Sequence, residues 1–351
     1  MNNNMLDACN KRNIFVVLGF ARSGTSVITR GLKALGVDLG TDTAVESEKN
    51  KWNPSGFFED NEIIYNIHTK IFEKLNYKIR EIRIIDKAKL LDDTLKNERQ
   101  NAVNLLKKRY LNTYDFGFKD PNTAKILPFW QDIFKNLNLN DNYIIALRNP
   151  LSSAKSFSDV TKIDIEASLI LWLSHIIPAI DETENRQRII VNYDLMMQEP
   201  TKQIQRIKES FNIESKKEDI TSFTNDYLNI NLQHNQFDDN DLKTHKSMHV
   251  VPLCLRVYSL LNKVANDELD ISSETFSNTW AHLKVEFEYI YPVYCYIDKV
   301  LKDNQELKRK IKDVEKSIAW KALHPVRAVD DKLRQLRTKY RNKKRLDAAY
   351  E

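Results

Sequence analysis

The sequence predicts an α/β fold, a three-layer sandwich with a central parallel sheet, followed by a helical and basic tail. Three observations carry that expectation. Several short runs are apolar without interruption, the pattern of strands covered on both faces. Helical periodicities separate those runs, as crossover helices separate the strands of a parallel sheet. Beyond about residue 295 the pattern changes to heptads and then to a basic run. The chain therefore divides into an N-terminal extension over 1–12, a folded domain over 13–295 and a helical tail over 296–351.

The first strand is Asn13–Gly19, where Ile14, Phe15, Val16, Val17 and Leu18 run unbroken. A helix follows over Thr25–Leu35, with Ile28, Leu32 and Leu35 at helical spacing and Gly36 placed to cap its C-terminus. Ile82–Ile85 and Tyr114–Phe118 are shorter strand candidates. Tyr143–Leu147 repeats the buried-strand pattern and leads to Asn149, a good N-cap, and Pro150, suited to a first helical position. Ile189–Tyr193 is the last such strand. In the tail, Ile297, Val300, Asn304, Leu307, Ile311, Val314 and Ile318 recur in alternating steps of three and four. That is a heptad seam with one polar residue of the kind that fixes register, and it predicts a homodimer through a coiled coil. A surface helix packed on its own domain gives the same spacing.

Composition narrows the class. Hydrophobic residues make up 42% and charged residues 29%, as in ordinary globular proteins and unlike disordered or fibrous chains. Cys9, Cys254 and Cys295 are widely separated, with neither zinc spacing nor a disulfide framework, which fits a reducing compartment. Met1–Asp7 has no basic region leading into an apolar run, so a cytoplasmic location is expected. The longest apolar stretch, near Ile170–Ile180, is broken by Ser174, His175 and Pro178 and falls short of the about 20 residues that span a bilayer. Leu301–Glu351 holds 16 Lys/Arg against 8 Asp/Glu, an excess larger than the whole chain's net +5, so the basic character belongs to the tail.

Between the first strand and the first helix lies Leu18-Gly19-Phe20-Ala21-Arg22-Ser23-Gly24-Thr25-Ser26. Such a turn presents backbone N–H groups and the positive end of a helix dipole to an anion. Gly19 and Gly24 allow close backbone approach, and Thr25 and Ser26 add hydroxyl donors. The fold is thus P-loop-like, but a nucleoside-triphosphate loop ends Gly-Lys-Ser/Thr. Here Thr25 stands where that lysine belongs and the cation has moved forward to Arg22. A P-loop kinase or hydrolase is therefore the weaker reading.

A second strand–turn–helix carries Arg148-Asn149-Pro150, with Ser156 eight residues after the arginine. Arg148 suits phosphate because its planar fork donates two parallel hydrogen bonds. Together, Gly-x-x-Arg-Ser-Gly-Thr-Ser and Arg148/Ser156 resemble the two donor-binding signatures of sulfotransferases that use 3′-phosphoadenosine 5′-phosphosulfate. The resemblance implies that Arg22, Ser23, Gly24, Thr25 and Ser26 hold the phosphosulfate, and that Arg148 and Ser156 hold the 3′-phosphate.

Further segments resemble bacterial-type members of that family. Asn53-Pro54-Ser55-Gly56-Phe57-Phe58-Glu59-Asp60 is similar to their Asn-Pro-x-Gly-aromatic-aromatic-Glu stretch. Phe118-Lys119-Asp120-Pro121 is similar to their Lys-Asp-Pro-Arg region, with Asn122 in place of the arginine. Tyr193-Asp194-Leu195 matches a Tyr-Glu/Asp-Leu element after a later strand, which adds Tyr193 to the donor site. The Gly-x-x-Gly-x-Trp-Lys element of cytosolic small-molecule sulfotransferases is absent. The likeness covers about residues 13–200 and implies a carbohydrate or surface-polysaccharide precursor as acceptor.

Sulfuryl transfer demands charge stabilisation at the leaving phosphate and a base for the acceptor hydroxyl, but no metal. Arg22 and the loop amides answer the first demand. Glu59 is the first candidate for the base, although an acid just before a helix at Asn61–Ile67 also favours the helix dipole. Asp60, His68, Lys119 and Asp120 are further acceptor-side candidates, with Asp120 paired to Lys119 as the alternative. A non-catalytic relative that assembles through its tail is the third reading.

Within the tail, Ser317-Ile318-Ala319-Trp320-Lys321 through Arg327 is similar to tails that follow coiled coils in bacterial surface-polysaccharide enzymes. Lys332, Arg334, Arg337, Lys339, Arg341, Lys343, Lys344 and Arg345 then make a basic run. It suits either peripheral contact with an anionic membrane or a solvated end, and nucleic acid is not an expected partner.

Overall fold

In the computed structural model, which describes residues 11–40, 56–228 and 237–317 together with 332 and 334, four strands form one sheet. They are β1 (Asn13–Gly19), β2 (Asp115–Lys119), β3 (Asn140–Leu147) and β4 (Gln187–Asn192). The order is β2-β1-β3-β4 and every pairing is parallel. Strand residues alternate between two cores. Ile14, Val16, Leu18, Tyr143, Ile145 and Leu147 face one layer, and Phe15, Val17, Ile144, Ala146 and Val191 face the other. Covering both faces is what makes the runs continuously apolar, and each large aliphatic side chain so buried contributes about 1.5–3 kcal/mol.

One layer carries α1 (Thr25–Ala34) and α6 (Pro200–Phe211), through Ile28, Leu32, Ile204 and Ile207. The opposite layer is larger. It includes α2 (Lys96–Arg109), α3 (Leu127–Asn136), α4 (Pro150–Thr161), α5 (Ile165–Asp181), α7 (Pro252–Ala265) and the start of α8 (Glu274–Lys316). The apolar stretch near residues 170–180 is the middle of α5, buried throughout. Its Ser174 hydroxyl is satisfied by donating to the Leu171 carbonyl at 2.8 Å. Among the described residues no single helix is long and apolar enough to cross a membrane.

Helix ends follow the sequence. Gly36 adopts φ 94°, and the N–H groups of Gly36 and Val37 return to the carbonyls of Lys33 and Leu32, a Schellman termination of α1. Asn149 caps α4 by accepting from the N–H groups of Leu151 and Ser152, with Pro150 at the first helical position.

One expectation is corrected. Ile82–Ile85 is not a strand, although Ile82 and Ile85 are buried. Side chains take its backbone groups instead: the Tyr77 hydroxyl lies 2.8 Å from the Glu81 carbonyl and 2.6 Å from that of Arg83, and the Ile84 N–H donates to the Tyr291 hydroxyl. The helix that carries the heptads extends back to Glu274, because Phe276, Trp280, Leu283 and Phe287 recur in steps of four and three and are buried.

The chain divides into two compact units, Met1–Tyr294 and Cys295–Glu351. In the second unit none of the described residues is buried. Ile318, the Trp320 motif and the basic run apart from Lys332 and Arg334 lie outside the described residues, as do Asn53, Pro54 and Ser55.

Candidate functional site

All four strands deliver polar side chains to the carboxyl edge of the sheet. In open parallel sheets ligands bind at that edge, where connections leave a central strand in opposite directions. Here β1 is that strand, with β2 on one side and β3 on the other. The register Val17↔Lys119, Gly19↔Ala146 and Leu147↔Asn192 aligns the strand ends.

The loop after β1 requires its glycines. Gly19 has φ 139°, and a Cβ there would meet the Ala146 carbonyl oxygen at 2.7 Å. Gly24 has φ 81°, and a Cβ there would sit 2.1 Å from Cδ2 of Tyr193. Arg22 between them holds a left-handed φ of 71°, a conformation that costs a non-glycine residue about 1 kcal/mol or more. Ser23 is fully buried, and its hydroxyl lies 3.1 Å from that of Ser153 on α4. Gly24 is also the N-cap of α1, so no cap side chain occupies the first-turn N–H groups. Such N–H groups are an anion-binding feature.

The loop after β3 meets this one directly. Nε of Arg22 donates to Oγ of Ser156 at 3.1 Å, and Nη1 of Arg148 donates to the Arg22 carbonyl at 3.1 Å. The Arg148 guanidinium lies over the Tyr193 ring at 4.8 Å, with Oδ1 of Asp194 3.8 Å from its Nε. Arg22, Ser23, Gly24, Arg148, Ser156 and Tyr193 thus converge. Burial pushes the Arg22 guanidinium pKa down, and the like charge of Arg148 adds to the fall. Burial lowers Arg148 too, opposed by Asp194 and Tyr193. Two desolvated guanidiniums side by side are an electrostatic cost that an anion relieves.

A third contribution comes from β2. Nζ of Lys119, whose side chain is 1% exposed, donates to Oε1 of Glu59 at 2.7 Å and to Oγ of Ser26 at 3.4 Å. The Ser26 hydroxyl donates to the Phe57 carbonyl at 3.1 Å, which ties the Glu59 segment to the first turn of α1. Thr25, at the position of a P-loop lysine, is buried, so the cation at this turn enters from the neighbouring strand. Burial pushes the Glu59 carboxyl pKa up, and the Lys119 ammonium pulls it back only in part.

Asp60, His68 and Asp120 hold the fold beside Glu59. Trp130 Nε1 donates to Nε2 of His68 at 2.8 Å, and Nδ1 of His68 is 2.6 Å from Oδ2 of Asp120. An indole only donates, so Nε2 is the bare nitrogen and Nδ1 carries the proton to Asp120. Both ring nitrogens are occupied. Oδ1 of Asp120 accepts from the N–H and the amide of Asn122 at 2.9 and 3.0 Å, so Asp120 pairs with His68 and Asn122 and not with Lys119. Burial alone would raise its pKa, but those donors hold it below the usual range. Asp60 caps the helix at Asn61–Ile63, and its Oδ2 takes Arg109 of α2 at 2.7 Å. Arg109 also reaches Glu62 at 2.8 Å, clamping both sides of that cap.

Ser153, Trp130 and Arg109 were not legible as site neighbours. Ser153 had a signal, since it precedes Ser156 by one helical turn. Trp130 lies in Leu127-Pro128-Phe129-Trp130, which resembles the apolar continuation of the Lys-Asp-Pro-Arg region, but its bond to His68 had no signal, and Arg109 had none, because their partners lie far away in sequence.

By sequence, no family model and no curated protein matches the chain. Among solved structures it is similar to the sulfotransferase domain of the Synechococcus PCC 7002 olefin synthase, at 14% identity and a TM-score of 0.37, over 80% of this chain and 97% of that one. It is similar to the sulfotransferase domain of the curacin biosynthetic pathway at 15% identity and TM-score 0.37, over 78% and 98%. A third is retinol dehydratase in complex with androsterone and the inactive cofactor PAP, at 13% identity and TM-score 0.33, over 65% and 68%. Overlaps this loose carry no weight for function.

Proposed function

We propose that the protein is a sulfotransferase that moves a sulfuryl group from 3′-phosphoadenosine 5′-phosphosulfate to an acceptor hydroxyl. The observation that carries this reading is the junction of Arg22, Ser156 and Arg148. It joins the two arginine-bearing loops, far apart in sequence, into one cationic cluster at the carboxyl edge of the sheet. A donor with phosphate groups at both its 5′ and 3′ positions calls for two such anion contacts.

In this reading the α1 turn, with Arg22, holds the phosphosulfate, while Arg148 and Ser156 hold the 3′-phosphate. The acceptor oxygen forms a bond to sulfur as the bond from sulfur to the phosphate oxygen breaks, and the acceptor proton passes to Glu59. Arg22 stabilises the charge that grows on the leaving phosphate. Lys119 stands between Glu59 and Ser26, where it ties the base to the first turn of α1. Glu59 keeps 23% of its side chain exposed, unlike Asp60 and Asp120, so it is the carboxylate an acceptor can reach. The acceptor class we assign is a carbohydrate or surface-polysaccharide precursor, on the likeness of the Ser317–Arg327 segment to tails of bacterial surface-polysaccharide enzymes.

Incubation of the full-length chain with donor carrying labelled sulfate and a panel of sugars, glycolipid precursors, phenols and peptides tests the reading. Label is expected on a carbohydrate hydroxyl, with release of the bisphosphate. Bisphosphate binding without transfer to any acceptor would instead favour a non-catalytic relative.

A further inference from the structure

The described part of the second unit is a helix that shows an apolar stripe to solvent. Ile297, Val300, Leu307, Ile311 and Val314 are 37%, 45%, 58%, 58% and 51% exposed, although a heptad places them on one face. With Ile297, Asn304 and Ile311 at the a positions, the d positions fall to Val300, Leu307 and Val314. Asn304 is exposed as well, in the middle of the stripe.

We infer that this face binds a second copy of the same chain as a parallel, in-register two-stranded coiled coil. Flanking charge selects that partner. Asp303 and Lys310 occupy g positions, and Lys308 and Glu315 occupy e positions. In a parallel pair each g residue faces the e residue five positions later in the partner helix. Asp303 then meets Lys308 and Lys310 meets Glu315, each twice by symmetry, so both charged flanking pairs are attractive, and the remaining pair, Tyr296 with Leu301, is uncharged. Lys310 already holds Glu306 of its own helix at 3.0 Å, but both are largely exposed and that pair is weak. The same register sets Asn304 against its counterpart, so two amides bond to each other in an otherwise apolar seam. Slipping the register or reversing one helix leaves each amide against an aliphatic side chain, and this penalty selects parallel, in-register pairing.

Light scattering on the full-length chain should give twice its 41.2 kDa mass. Leu307→Asp should give the monomer while leaving bisphosphate binding unchanged, since Leu307 is remote in sequence from every donor-site residue. Asp303→Lys should weaken the dimer about fivefold or more, and adding Lys308→Asp should restore it. In a chain with Cys9→Ser and Cys295→Ser, Leu307→Cys should oxidise to a disulfide-linked dimer, whereas Arg309→Cys, on the outer face, should not. A wild-type monomer at the highest soluble concentration, a trimer, or equal cross-linking at 307 and 309 would each overturn the inference.

Discussion

Glu59→Gln is expected to lower kcat for sulfuryl transfer by about a thousandfold, within the range for loss of a positioned general base. Gln has nearly the shape of Glu and can still accept from Lys119, so the link to Ser26 and the first turn of α1 persists. Affinity for the bisphosphate product should therefore stay within about twofold of wild type. The pH profile sharpens the test. Burial pushes the Glu59 pKa up from the ordinary glutamate value of 4.5. The base form exists only above the shifted pKa, so activity should climb with pH through a limb displaced to the neutral side of 4.5 and fall as Glu59 protonates below it. That limb should vanish in Glu59→Gln. Near-normal turnover in the variant would remove Glu59 from the mechanism.

Arg22→Gly should separate chemistry from folding at the donor loop. Glycine adopts the left-handed φ of 71° without penalty, so backbone strain is relieved while the guanidinium and its bond to Ser156 are lost. Thermal stability should hold, and kcat should fall by about a hundredfold to a thousandfold, the size of one lost donor at a developing oxyanion. Turnover surviving in a stable Arg22→Gly chain would show that another group carries the leaving phosphate. An unfolded variant is not expected, because Arg148 can still donate to the residue 22 carbonyl.

Much of this was legible because the fold buries its sheet on both sides. Continuous apolar runs at residues 14–18 and 143–147 mark strands that only a three-layer arrangement can cover. The two arginine-bearing loops were legible for the same local reason. Gly19, Gly24, Asn149 and Pro150 encode the backbone of two strand–turn–helix units within a few residues each. What escaped was set by distant partners. Ile82–Ile85 has the composition of a strand, but Tyr77, Lys125 and Tyr291 occupy backbone groups along residues 81–84. His68 has the chemistry of a base, yet Trp130 and Asp120 take both its nitrogens. Asp60 and Glu59 are adjacent, and only the fold distinguishes them, giving one to Arg109 and a helix cap and the other to Lys119 at the loop.

In the proposed reaction, two arginine-bearing loops bind one nucleotide with phosphates at its 3′ and 5′ positions. Calorimetric titration of 3′-phosphoadenosine 5′-phosphate against ATP with magnesium, into wild type and Arg148→Ala, tests it most directly. The bisphosphate should bind more tightly than ATP, and Arg148→Ala should weaken it by about 2 kcal/mol, the worth of a charge-assisted hydrogen bond. Tighter binding of ATP with magnesium, or bisphosphate affinity indifferent to Arg148, would contradict the account.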